Sequence, residues 1–129
     1  MTPIVAGVVI KQDGKYLLVQ EKQEKVYGLW NLPAGHVDEG DSIEETAVKE
    51  AKEETVYDVE LVRKIDIFQD SVSTPPKHAF EARISGGSLQ FPEDEIMDAR
   101  WFSFDEILSM KDQMRSGWVI GAIQMLEMP

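Results

Sequence analysis

The chain is expected to fold as an α/β sandwich, a mixed β-sheet flanked by helices. Three observations predict this. Short β-branched, apolar runs bounded by turn residues recur along the 129 residues. A capped, amphipathic helical segment interrupts them after Asp41. Helical periodicity then returns only near the end of the chain. The length suits one domain with a substantial core, so residues 1–129 are read as a single domain.

The elements follow in order. Residues 4–10 are apolar and β-branched, Asp13-Gly14 is a hairpin turn signal, and Tyr16-Leu17-Leu18-Val19 resumes the strand pattern. Residues 20–30 form a polar loop ending in Tyr27, Leu29 and Trp30. Leu32-Pro33-Ala34-Gly35 punctuates a strand with a turn. Ser42, followed three residues later by Glu45, matches a capping box, and Ile43, Ala47 and Ala51 line one side of the helix it opens. Residues 59–68 and 79–84 have strand patterns, Ser85-Gly86-Gly87-Ser88 is a turn, and Arg100-Trp101-Phe102 is a short strand. Ser103 and Glu106 form a second capping box, opening a short helix to about Met110. From residue 116 to about 126 the pattern is helical, with Val119, Ile123 and Leu126 on one side.

Composition narrows the function. Hydrophobic residues make up 43% and charged residues 29%, as in ordinary globular proteins. No apolar run approaches the roughly 20 residues of a membrane span. The first residues lack a basic stretch before their apolar ones, so they do not read as a secretory signal. There is no cysteine, which removes disulfides, thiolate zinc sites and cysteine nucleophiles together. A cytoplasmic location is the expectation. The net charge of −11 argues against duplex nucleic acid or an anionic membrane as partner. A small anionic substrate remains compatible if a metal ion bridges the two negative partners.

The acids of the central helix carry most of the functional signal. Glu50, Glu53 and Glu54 share one side at i, i+3, i+4 spacing, where like charges repel by roughly 0.2–0.5 kcal/mol per pair. They also occupy the last turn, where the helix dipole is already negative. Glu50 and Glu54 border the apolar stripe, and carboxylates beside a buried face need a partner. A hard divalent cation such as Mg²⁺, which prefers oxygen ligands, meets that need. No EF-hand spacing of acids about a central glycine is present, which argues against a plain Ca²⁺ site.

The segment from Gly35 to Tyr57 resembles the signature of the Nudix hydrolases, G-x5-E-x7-R-E-U-x-E-E-x-G-U, without a gap. Gly35, Glu50, Glu53 and Glu54 match it; Asp41, Lys49 and Val56 replace glutamate, arginine and glycine. Trp30-Asn31-Leu32-Pro33-Ala34-Gly35-His36 and Arg100-Trp101-Phe102 match the flanks, so the resemblance spans nearly the whole chain. It implies that family's α/β/α sandwich and Mg²⁺- or Mn²⁺-dependent hydrolysis of a nucleoside di- or triphosphate, or another diphosphate linked to some moiety. Carried over by position, Glu50, Glu53, Glu54 and the Ala34 carbonyl would be metal ligands. Glu95, in the acidic loop before the Trp-Phe strand, would be a further one. Glu53 or Glu50 would be the general base, a choice the residues leave open. Lys49, four residues before Glu53, would pair with it and belongs to the catalytic group. Lys22 and Arg115 are candidate phosphate contacts, Tyr27 and Trp30 candidate stacking residues, and Gly35 shapes the turn at the substrate. The Pro-Ala-Gly-His form of the turn, with Met114-Arg115-Ser116, resembles a phosphatase-like branch acting on nucleotides and thiamine diphosphate.

Two further expectations accompany the resemblance. With valine at the signature's glycine position, the helix is expected to end in a different turn, around Tyr57-Asp58. The substitutions at Lys49 and Val56 motivate an alternative, a catalytically inactive Nudix-like domain that binds a nucleotide as a sensor. A monomer and a homodimer are equally compatible with the sequence. The organic half of the substrate and the phosphorus attacked are not legible in it.

Overall fold

The computed structural model describes residues 3–128. Strands β1 (Val5–Gln12) and β2 (Lys15–Glu21) form a hairpin, joined by Asp13 and Gly14 at φ 52° and 77°. Both positive values suit a two-residue turn whose twist matches the strands. Strands β3 (Trp30–Asn31) and β4 (Ala34–His36) follow, then helix α1 (Ile43–Thr55). After α1 come β5 (Asp58–Phe68), β6 (Lys77–Gly86) and β7 (Ile96–Ser103), then helices α2 (Phe104–Ser109) and α3 (Trp118–Glu127).

The sheet order is β3-β2-β1-β6-β5, with β4 also on β1 and β7 on β2. β1 runs parallel to β6 and antiparallel to β2 and β4, so the sheet is mixed as expected. Strand alternation sends β1 side chains to two cores. Val8 and Ile10 join Ala47 and Ala51 of α1, with Val59, Phe80 and Ala82. Val9 faces the other way, toward Phe102, Ile107, Trp118, Val119 and Ile123. One helix therefore covers one face and two cover the other. No helix among the described residues is long and apolar enough to cross a membrane.

Local chemistry sets the helix ends. The Ser42 hydroxyl accepts the Glu45 N–H at 2.9 Å, one half of the expected box. At α2 both halves are present: Ser103 Oγ accepts from Glu106 N at 3.1 Å, and Glu106 Oε1 accepts from Ser103 N at 2.8 Å.

Three local expectations are corrected. Ala34-Gly35 is not a turn: both residues lie in β4, in register with Gly7 and Ala6. The Trp-Phe strand is longer than expected, because pairing with β2 extends it to Ile96. The end of α1 is not rebuilt around Tyr57-Asp58. Val56 itself takes the left-handed conformation, at φ 66° and ψ −2°, and its N–H reaches Lys52 O at 3.0 Å. A β-branched residue there is strained, by on the order of 1–3 kcal/mol. The helix C-cap thus keeps the geometry that glycine would favour, at some cost in stability.

Candidate active site

Where β4 meets the last two turns of α1, a cleft of about 500 Å³ opens. That volume suits a small-molecule ligand. Its lining includes Ala34, Gly35 and His36 from β4, Glu50 and Glu54 from α1, and Asp94 and Glu95 from the loop before β7. Glu21 and Lys22 at the end of β2, Lys77 at the start of β6, and Arg115 also line it.

Helical spacing places Glu50 and Glu54 one above the other, on the edge of α1 beside β4. Glu54 Oε1 accepts the backbone N–H of Ala34 at 2.9 Å. Glu50 lies directly over Gly35, so closely that a Cβ added there would overlap its carboxylate. Gly35 is thus required for close approach of helix and strand, and it does so at a negative φ. Burial pushes the Glu54 carboxyl well above the usual carboxylate range, partly offset by the Ala34 N–H. Burial likewise raises Glu50, to about 7, reinforced by the Glu53 carboxylate beside it. Glu53 itself is exposed, at the rim of the pair.

These acids suit a hard divalent cation in donor type and in electrostatics. Two raised carboxyls on one rigid edge have, among the described residues, no Lys or Arg in hydrogen-bond contact, which is the situation a bound cation relieves. Among the described residues, no three His, Asp or Glu side chains are already arranged around one point. Glu54 turns its oxygen to the Ala34 amide, and Glu53 faces solvent. The contact shown between Ala34 and Glu54 therefore runs through the Ala34 N–H.

The other expected site residues divide. Lys22, Gly35, Glu95 and Arg115 line the cleft with Glu50 and Glu54. Lys49 does not join them. Its ammonium pairs with Asp41 at 3.1 Å and Asp38 at 3.3 Å, so the expected pair with Glu53 is not formed. The residues at two substituted signature positions, Asp41 and Lys49, hold each other. Trp30 is a core residue, 5% exposed, with its ring edge-on to Phe102 at 4.9 Å. It does not line the cleft. Tyr27 is 61% exposed but does not line the cleft.

Sequence reasoning missed Glu21, Asn31, Lys77 and Trp118. Asn31 Oδ1 accepts both Leu32 N and Trp118 Nε1 at 2.9 Å, tying β3 to α3 across 87 residues. Glu21 is raised by burial, and Arg115, 3.7 Å away, lowers it in part. Lys77 reaches the cleft because Val5 pairs with it on one side and with His36 on the other. No local pattern announces such a meeting of distant strands. The one sequence cue was the end of β2, where Glu21 and Lys22 follow an apolar run.

Comparison with known proteins agrees with this architecture. The NUDIX domain family matches residues 1–119. A Caenorhabditis elegans protein provisionally named nudix hydrolase 1 is 34% identical over 116 residues, covering 87% of this chain and 32% of that protein. A Bacillus subtilis protein, provisionally named an 8-oxo-dGTP diphosphatase, is 36% identical over 96 residues, 74% of this chain and 62% of its own length. The chain thus spans about a third to three fifths of these relatives. Among solved structures, a NUDIX hydrolase from Nitrosomonas europaea superposes with a TM-score of 0.84 at 28% identity, covering 98% of this chain and 89% of that one.

Proposed function

The chain belongs to the Nudix family, and from that premise we propose that it hydrolyses a phosphoanhydride with the help of a divalent metal ion. Its substrate would be a nucleoside di- or triphosphate or a related X-linked diphosphate, and residues 1–129 would act as one such domain. The observation that carries this is the edge of α1. Glu50 and Glu54 are held against β4 with both carboxyls raised and no cationic side chain in contact.

Glu50, Glu53 and Glu54 would hold Mg²⁺ or Mn²⁺, joined by the Ala34 carbonyl and by Glu95. A bound ion supplies charge neutralisation for the phosphate oxygens and lowers the pKa of water. The chain's own residues supply the rest. α1 fixes the spacing of the acids, and Gly35 lets them approach β4. Glu53, exposed beside Glu50, is free to take a proton from an attacking water, a role worth typically 10²–10⁴-fold. Glu50 is the other candidate base. Lys22 and Arg115 would contact phosphate.

The sensor reading has one observation in its favour: Lys49 is turned to Asp38 and Asp41, leaving Glu53 without an orienting partner. One experiment separates the readings. Purified protein with millimolar Mg²⁺ is given a panel of nucleoside tri- and diphosphates, oxidised purine nucleotides, ADP-ribose and thiamine diphosphate, and inorganic phosphate and pyrophosphate are measured separately. Hydrolase function predicts metal-dependent release from at least one. Binding without release across the panel would favour the sensor.

A further inference from the structure

Beyond the acids, the cleft holds three cationic side chains, and they are not equivalent. The ammonium of Lys22 donates to the backbone carbonyl of Glu93 and is already engaged. Lys77 differs. Its side chain is only 13% exposed, and among the described residues the carboxylate within 4 Å of it is that of Asp70, at 3.8 Å, too long for a hydrogen bond. Asp70 is itself half exposed, so water screens much of that attraction. Arg115 is more exposed, at 39% of its side chain: its Nε lies 3.7 Å from Glu21, and its guanidinium makes no hydrogen bond among the described residues. The Lys77 ammonium, on a mostly covered side chain and without a hydrogen-bond acceptor, is available to an anionic ligand in the cleft.

The two cations share one rim. A Cβ added at Gly117 would lie 3.9 Å from Asp70 Oδ1, which sets the Arg115–Gly117 turn beside the partner of Lys77. The sheet register fixes their distance from the acids. Val5 pairs with Lys77 on one side and with His36 on the other, so Lys77 stands two strand spacings from β4, on the order of 10 Å. The cleft thus carries Glu50 and Glu54 at the α1–β4 edge, Lys77 on β6, and Arg115 beside Glu21.

We propose that Lys77 and Arg115 form an anion clamp for an unesterified terminal phosphate, and that they select substrates carrying one over diphosphates esterified at both ends. This rests on the phosphohydrolase function proposed above and narrows its substrate class. A free terminal phosphate brings up to two negative charges and three acceptor oxygens. Arginine can meet two of those oxygens in parallel, and lysine adds a point charge. A sugar ester on that phosphate removes one of its charges and one of its acceptor oxygens, and sets a neutral group against the clamp. A site built around a charged partner rejects an analogue that lacks it.

The test is calorimetric and needs no turnover. Methylenediphosphonate and its P,P′-dimethyl ester are titrated into the protein with Mg²⁺ present. The wild type should bind the free-ended probe about tenfold or more tightly than the capped one. Lys77→Gln should bring that ratio close to one, and Lys77→Arg should keep it. Should Lys77→Gln fail to fold, Arg115→Gln, on the exposed turn, is expected to cut the ratio in the same sense. A wild-type ratio near one, or a ratio unchanged in the glutamine variant, overturns the proposal. Failure of the two proposals is distinguishable. A Lys77-dependent ratio in a protein that hydrolyses nothing keeps the clamp and rejects the hydrolase, whereas hydrolysis with a Lys77-independent ratio does the reverse.

Discussion

Helix α1 carries two groups of charges that look alike in sequence and differ in every physical respect. Near its middle, Lys49 spans Asp38 and Asp41 in an exposed cluster, each charge with a partner and with water. One residue later, Glu50 begins a pair that is drawn in against β4, with a backbone amide and a glycine as its contacts. Charges of the first kind are cheap and contribute little. Those of the second kind oppose folding unless something else neutralises them. A residue's role here follows from the side of the helix it occupies, not from its charge.

Substitutions should divide along that line. The largest effect is expected at Glu53 and Glu54: Glu53→Gln and Glu54→Gln should each lower Mg²⁺-dependent turnover by about 10²–10⁴-fold. Glu54→Gln should at the same time leave the metal-free protein at least as stable as the wild type, because a buried raised carboxyl is removed. Full activity in both variants would sink the assignment of the edge.

Next is Gly35→Ala, whose methyl group would displace the Glu50 carboxylate. Overpacking of this kind costs about 1–3 kcal/mol. Denaturant unfolding should register that loss, and metal affinity should fall with it.

The pH dependence follows in size. Glu50 has a folded-state value near 7 against an ordinary 4.5, so it binds its proton more tightly folded than unfolded. Its contribution to stability is complete below pH 4.5 and is lost as pH rises through about 7. In chelator, melting temperatures across that window should fall more steeply for the wild type than for Glu50→Gln. Parallel curves would contradict the burial of this carboxyl.

A smaller change, of opposite sign, is expected at the end of the helix. Val56→Gly relieves a left-handed valine, and the protein should gain about 1 kcal/mol in urea unfolding. The smallest belongs to the exposed cluster: Lys49→Met should barely move the melting temperature. A marked loss of turnover in that variant would mean that Lys49 leaves Asp41 for Glu53 during the reaction.

Much of this molecule was legible from local pattern. The strand patterns, the hairpin at Asp13-Gly14, the caps at Ser42 and Ser103 and the apolar stripe of α1 depend on residues a few positions apart, where periodicity and hydrogen-bonding chemistry act directly. The helical spacing that sets Glu50, Glu53 and Glu54 along one side of α1 was legible for the same reason, although only Glu50 and Glu54 line the cleft. Burial of Trp30, the turning of Lys49 to Asp38, and the arrival of Lys77 beside Val5 of β1 were not. Each is decided by which distant strand or loop becomes a neighbour. Val56 marks the boundary between the two kinds of information. Its side chain argues against a left-handed turn, yet the demands of docking β5 after α1 prevail over a local preference worth a few kcal/mol. By itself the sequence determined the elements and the acids that one helix can align. Only the tertiary structure decided which charges lose their water, because desolvation depends on everything packed around a group and on nothing in its neighbours along the chain.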